Sequence, residues 1–64
     1  MSVQEKIFKV SEIKDKIKYV YVLDYIEKLP AWILLSKNGG NQYTIYADNK
    51  GQQIGYLTST ESLW

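Results

Sequence analysis

Two glycine-containing turns divide the C-terminal half of this chain into three short segments of strand-like sequence. The segments are 31–37, 42–47 and 52–58, and each contains β-branched or aromatic residues. Residues 38–41 read Asn-Gly-Gly-Asn, and Asn-Gly is a strong signal for a two-residue hairpin turn. Residues 48–51 read Asp-Asn-Lys-Gly, which suits a type I turn closed by a left-handed glycine. The sequence therefore predicts an antiparallel meander of three strands.

The alternation of side chains along these strands predicts which residues share a face of the sheet. One face collects Trp32, Leu34, Tyr43, Ile45, Ala47, Gly55 and Leu57. The opposite face collects Ile33, Leu35, Thr44, Tyr46, Ile54 and Tyr56. Both faces are apolar, so this sheet has more apolar surface than a short chain covers easily.

The N-terminal segment fits a helix better than a strand. On a helix its apolar residues fall within an arc of about 120°: Val3, Ile7, Val10, Ile13 and Ile17. Ser2 followed by Glu5 is a capping-box signature for a helix start. We therefore expect a helix over about residues 3–17. Phe8 lies off this stripe, and Ser11 before Glu12 is compatible with an alternative in which a shorter helix follows a strand.

A strand is expected next, because residues 19–23 read Tyr-Val-Tyr-Val-Leu. It covers about residues 18–25, and Pro30 prevents a helix from continuing through residues 26–29. The predicted fold class is α+β, with the N-terminal helix packed on an antiparallel sheet of about four strands. One amphipathic helix covers one face of such a sheet. The sheet then either curls into a small barrel or presents its second face to another molecule.

The C-terminal segment resembles the closing strands of Src-homology-3-like barrels. In that family a strand containing Gly-Tyr-Ile or Gly-Tyr-Leu leads through a short polar turn into a last apolar strand, as Gly55-Tyr56-Leu57 does here before Leu63 and Trp64. Trp32 begins a strand upstream, as a tryptophan does in the family. The resemblance implies a small all-β barrel as the alternative fold. The family's peptide-binding residues do not carry over, because the proline that follows this motif in eukaryotic members is missing.

The residue types that most often carry chemistry are missing from this chain. It has no histidine and no cysteine, which removes the commonest general base, the thiolate nucleophile and the main transition-metal ligands. Asp24 and Glu27 form a close pair of carboxylates, and their spacing favours a capping role before Pro30. Gly39 and Gly40 lack the spacing of a phosphate-binding loop. We therefore expect no enzyme activity, no cofactor and no metal site.

Length and charge narrow the class of protein further. Sixty-four residues make a single domain, and no disulfide is available to stabilise it. All eight basic residues are lysines, set against seven acidic residues, which gives no strong field for a polyanion. No signal peptide and no membrane-spanning run is visible, so we expect a cytoplasmic protein that does not enter a membrane. The lysine-rich, arginine-free composition suggests a bacterial or phage source.

Six tyrosines and two tryptophans are the one compositional excess, and such side chains are preferred anchors of protein interfaces. We expect a non-enzymatic interaction module that binds a protein partner or self-associates, for example as a homodimer, through an aromatic sheet face. The expected binding residues are Trp32, Leu34, Tyr43, Ile45, Leu57 and Trp64. One alternative is a single-stranded nucleic-acid-binding accessory protein that uses Tyr19, Tyr21, Lys16 and Lys18. Another is a small inhibitor that occupies the cleft of an enzyme.

Overall fold

The computed structural model describes residues 4–24, 26, 28–47 and 51–64. In chain order the elements are β1 (Glu5–Lys9), α1 (Val10–Ile13), a 3₁₀ turn (Lys14–Lys16), β2 (Ile17–Val22), β3 (Trp32–Gly39), β4 (Gln42–Ala47) and β5 (Gln53–Ser59). Several sequence expectations lie outside the described residues. They concern the cap at Ser2, the carboxylate of Glu27 and the turn over residues 48–50.

The predicted helix over residues 3–17 is wrong. Within the described part of this segment a strand comes first, followed by a single turn of α-helix and a 3₁₀ turn. Strand β1 pairs with β3, and the Val10 amide donates to the Ala31 carbonyl at 2.8 Å to continue the ladder. An isolated helix of this length is marginal in water, so pairing with a sheet edge outweighs the helical pattern. The alternative of a shorter helix after a strand describes the observed structure.

All five strands form one antiparallel sheet in the order β1-β3-β4-β5-β2. The predicted meander is confirmed as β3, β4 and β5, and the strand expected over residues 18–25 is present as β2. The sheet has one strand more than the expected four because β1 replaces most of the predicted helix. Strands β1 and β2 lie at opposite edges, so the sheet is not closed into the barrel of the alternative fold.

The hydrophobic core covers one face of the sheet, which we call the inner face. Its buried residues are Ile13, Ile33, Leu35, Tyr43, Ile45, Ile54 and Leu57. Ile13 comes from α1, so the short helix does pack against the sheet. The C-terminal segment closes the core: the Leu63 amide donates to the Tyr43 hydroxyl at 2.9 Å, and the Trp64 ring stacks on Phe8 at a centroid distance of 5.5 Å.

The predicted faces are right for β4 and for Gly55, Tyr56 and Leu57 of β5, and wrong for Ile54 and for β3. Ile54, expected on the face of Tyr56, lies in the core with Tyr43 and Ile45, at an irregularity in the pairing of β4 and β5. Ile33 and Leu35 lie opposite Ala47 and Ile45, so they share the inner face, whereas Trp32 and Leu34 lie on the opposite face. The cause is a bulge at Asn38, an extra residue between the pairs that join Lys37 to Tyr43 and Gly39 to Gln42. One inserted residue moves every side chain of a strand to the other face.

Candidate protein-interaction surface

The expected binding residues do not form one surface. Tyr43, Ile45 and Leu57 are buried in the core, and Trp64 is partly buried against it. Trp32 and Leu34 lie across the sheet from them; Trp32 is half exposed, whereas Leu34 is buried. Of these six residues, Trp32 therefore offers the largest exposed fraction of apolar surface.

The exposed aromatic residues lie instead on the second face of the sheet, which we call the outer face. Its large side chains with 47% to 68% exposure are Ile7, Tyr19, Tyr21, Trp32 and Tyr56. Single exposed apolar residues are normal on protein surfaces, but a group on one face indicates a place where another molecule binds. The outer face therefore carries the candidate site.

Three tyrosines on neighbouring strands make the best-defined part of this face. Tyr21 and Tyr56 lie directly opposite each other on β2 and β5, and their rings stack with centroids 5.0 Å apart and planes 17° apart. Tyr19 stands two residues before Tyr21 and is the most exposed of the large apolar side chains. Cross-strand aromatic pairs of this kind stabilise each other's positions. The rings are therefore held in place before any other molecule binds.

These tyrosines border a groove of about 340 Å³, which we call the tyrosine groove. Asn38, Gln42 and Thr58 supply polar side chains along it. Asn38 is oriented by a hydrogen bond, because the Thr44 hydroxyl donates to its side-chain oxygen at 3.0 Å. The groove thus combines large apolar rings with a few amide and hydroxyl groups, a combination typical of sites that bind neutral, amphipathic surfaces.

The alternative set of residues for nucleic-acid binding is brought to one edge of the sheet. Tyr19 and Tyr21 line the tyrosine groove, and the Lys18 ammonium lies 5.6 Å from the centre of the Tyr19 ring. Lys16 is next to a carboxylate, since its ammonium lies 4.0 Å from Glu61. One of the two lysines is therefore accompanied by an opposite charge.

A shallower hollow lies near the start of β3, where Pro30, Ala31, Trp32 and Ala47 surround about 250 Å³. The Lys9 ammonium lies 6.0 Å from the centre of the Trp32 ring. This contact is at the outer limit for an attraction between a cation and an aromatic face. The hollow extends the exposed apolar surface toward the β1 edge, away from the tyrosine groove.

Among the described residues, no group of three histidine, cysteine, aspartate or glutamate side chains is placed to hold a metal ion. None of the helices in that part of the chain is long and apolar enough to cross a membrane. No protein-family model, curated protein or solved structure matches this chain. Its function is therefore argued from the outer face alone.

Tyr56 is the member of the tyrosine groove that the sequence interpretation did not select. Side-chain alternation predicts that it shares a face with Ile33 and Leu35, whereas it lies on the outer face with Tyr21. The signal that finds it is the pairing of two strands that are distant in the chain, in which residues 19–21 of β2 lie opposite residues 56–58 of β5. Local periodicity assigns each strand two faces but does not give this register.

Proposed function

We propose that this protein is a non-enzymatic interaction module that binds a protein partner through the outer face, with the tyrosine groove at the centre of the contact. The observation that carries the proposal is the stacked pair Tyr21 and Tyr56 beside the exposed Tyr19. Tyrosine is enriched in the energetically dominant part of protein interfaces. It offers a large contact area and has few torsions to immobilise.

The polar residues of the groove are those that a protein interface requires around such rings. Asn38, Gln42 and Thr58 offer hydrogen-bond donors and acceptors without carrying a charge. Charged groups are depleted at the centre of interfaces because their desolvation is costly. No carboxylate or ammonium group lines the tyrosine groove in the part of the chain that the structure describes. The groove therefore suits an apolar or amphipathic protein segment better than a charged ligand.

Quantitative capture from a lysate of the source cells tests this function. We expect the wild-type protein to retain a specific partner that the double variant Tyr19→Ser, Tyr56→Ser does not retain. Lys14→Gln with Lys28→Gln is the matched control, since both lysines are exposed and neither lies on a strand. Trp32→Ser measures whether the contact extends to the start of β3. Equal capture by the wild type and the tyrosine variant would remove the groove from the proposal.

The proposed module would act as an enzyme inhibitor if its protein partner were an enzyme. In that case the captured protein has an enzymatic activity, and this activity falls when the wild-type chain is added. The tyrosine variant is expected to leave that activity unchanged, because it lacks the contact surface. The lysine control variant is expected to inhibit as the wild type does.

Single-stranded nucleic acid is the second candidate ligand, favoured by the position of Lys18 over the Tyr19 ring beside Tyr21. Bases stack on aromatic side chains, and lysines contact the phosphates. The near-neutral net charge and the Glu61 carboxylate near Lys16 weaken this candidate. It predicts that oligonucleotides quench tyrosine emission and that affinity falls steeply with salt. An absence of binding at low salt would remove this candidate.

A further inference from the structure

The sheet edge formed by β2 is open. Within the described residues, strand β2 pairs with β5 alone, and the ladder continues to Leu23, whose amide donates to the Ile54 carbonyl at 3.1 Å. In an antiparallel pair every second residue directs both backbone groups to the neighbouring strand. The backbone amides and carbonyls of Leu23, Tyr21 and Tyr19 therefore point toward β5. Those of Val20 and Val22 point away from it. These groups are arranged to pair with a further strand.

We propose that the occupant of this edge is a second copy of the chain, added antiparallel to β2 across a two-fold axis that passes beside Tyr21. This inference rests on the proposed function: it names a second copy as the partner and extends the contact from the tyrosine groove to the adjoining β2 edge. In this register Val20 of each copy pairs with Val22 of the other, which makes four backbone hydrogen bonds. Tyr21 lies opposite Tyr21 of the second copy, and the two sheets join into one of ten strands.

The charges of the edge select this register. With Tyr21 at the axis, the bulge at Lys18 comes beside the turn that carries Asp24 of the second copy, so that the two side chains can form an ion pair, which symmetry makes twice. Both side chains are exposed. A shift by one repeat in either direction moves the axis to Val20 or to Val22. Lys18 then faces Val22 or residue 26 instead, and neither position carries a carboxylate.

The apolar side chains of the edge fit the same arrangement. Val20 points to the inner face, opposite Leu57, yet it remains 43% exposed, since β2 is the last strand of the sheet in the described part of the chain. Val22 of the second copy would cover it. On the outer face the stacked pair Tyr21 and Tyr56 would continue into the same pair of the other copy, giving a row of four rings across the axis.

Strand β1 is the other edge of the sheet, and its sequence is less suited to this contact. Its five residues include Lys6, Lys9 and Glu5. Lysines on an edge strand oppose pairing with a further strand, because two copies would bring like charges together. The proposed dimer therefore uses β2 and leaves β1 exposed.

Sedimentation velocity from micromolar to submillimolar concentration tests the dimer. We expect the wild type to form a dimer and Val20→Pro to remain a monomer. Proline at position 20 removes an amide that points away from the sheet, so it costs no hydrogen bond within the monomer. Ile7→Pro is the matched control, because it changes an outward-facing amide on β1, and it is expected to dimerise normally. Circular dichroism verifies that both variants are folded.

Charge exchange tests the register. Lys18→Asp and Asp24→Lys each place like charges opposite each other, and each is expected to weaken self-association about tenfold. The double variant Lys18→Asp, Asp24→Lys restores opposite charges and is expected to recover wild-type association. Failure of the double variant to recover would overturn the register.

Three outcomes would overturn the dimer itself. They are a wild-type monomer at all concentrations, a dimer that Ile7→Pro disrupts and Val20→Pro does not, and an open-ended assembly in which β1 pairs with β2. A wild-type monomer that still captures another protein through Tyr19 and Tyr56 overturns this inference and leaves the proposed function intact. A monomer that captures nothing removes both.

Discussion

At Gly55 the backbones of β2 and β5 lie close together. A Cβ atom built on it would overlap the Tyr21 carbonyl oxygen and would lie 3.1 Å from the Val22 Cα atom. Both neighbours are backbone atoms of the paired strand, so they move only if the strands separate. Glycine in the interior of a strand often marks such a close approach. The packing of β2, the strand that carries Tyr21, against β5 therefore depends on glycine at position 55.

Gly55→Ala should destabilise the protein by about 2–4 kcal/mol, because it combines backbone strain with overpacking. Gly39→Ala is the matched control: its φ of +152° is close to the +159° of Gly55, but no atom lies within 4 Å of the added Cβ. We expect the control to cost about 1–2 kcal/mol, the strain term alone. Urea unfolding measures both. Equal losses would show that β2 does not lie against Gly55.

Tyr43 links the core to the C-terminal segment through its hydroxyl, which accepts a hydrogen bond from the Leu63 amide at 2.9 Å. Its ring also lies 5.3 Å from that of Trp64. Tyr43→Phe should lower the free energy of unfolding by about 1 kcal/mol, because the Leu63 amide loses its acceptor. The Trp64 emission should shift to longer wavelength as the segment loosens. Tyr46→Phe, a change on the outer face, is expected to leave that emission unchanged.

At the scale of the element, β1 shows how two patterns compete within the same residues. As a helix, this segment would bury Ile7 and expose Phe8. As a strand it does the opposite: Phe8 is partly buried against Trp64, whereas Ile7 is 49% exposed. The choice depends on the free edge of β3, a partner more than twenty residues away in the chain. No local pattern contains that information.

Phe8→Ala should therefore cost about 2–3 kcal/mol of the free energy of unfolding, and Ile7→Ala less than about 1 kcal/mol. The reason is that only the Phe8 ring packs against the core. Thermal or urea unfolding of the two variants measures the difference. The reverse order of losses would favour the helix that the sequence predicted.

The hairpins show how much of the fold is predictable from the sequence. The Asn-Gly-Gly-Asn segment places the turn between β3 and β4 correctly, because few residues other than glycine adopt the +56° φ of Gly40. The bulge at Asn38 is not predictable from that signal, yet it decides which face Trp32 occupies. Turn chemistry locates a hairpin, whereas the register depends on which side chains the whole core buries.

The candidate site, too, could be predicted only in part from the sequence. Alternation in β2 places Tyr19 and Tyr21 on one face, and the structure agrees. Tyr43 and Leu57, expected at the interface, are buried because the chain covers the inner face with Ile13 and the C-terminal segment. Which face remains open depends on how the ends of the chain pack, and that follows from the assembled core.

At the scale of the whole molecule, the connection between β1 and β2 determines the shape of the sheet. These strands lie at opposite edges, about 19 Å apart if five strands lay flat. The seven residues 10–16, in helical conformations, advance only about 10–14 Å. The sheet must therefore curl around this connection, with Ile13 buried in its concave side. The convex outer face and the β2 edge are left open.

A small domain with an open edge gains stability from association, because a ligand that binds only the folded state raises the free energy of unfolding. If the second copy is that ligand, a hundredfold rise in concentration should stabilise each chain by about 1.4 kcal/mol. For a domain of this size that corresponds to a rise of about 5–10 °C in the melting temperature. Circular dichroism melts over that range measure it. The melting temperature of Val20→Pro should stay constant, since its edge accepts no second strand, and a constant value for the wild type would contradict the link between folding and dimerisation.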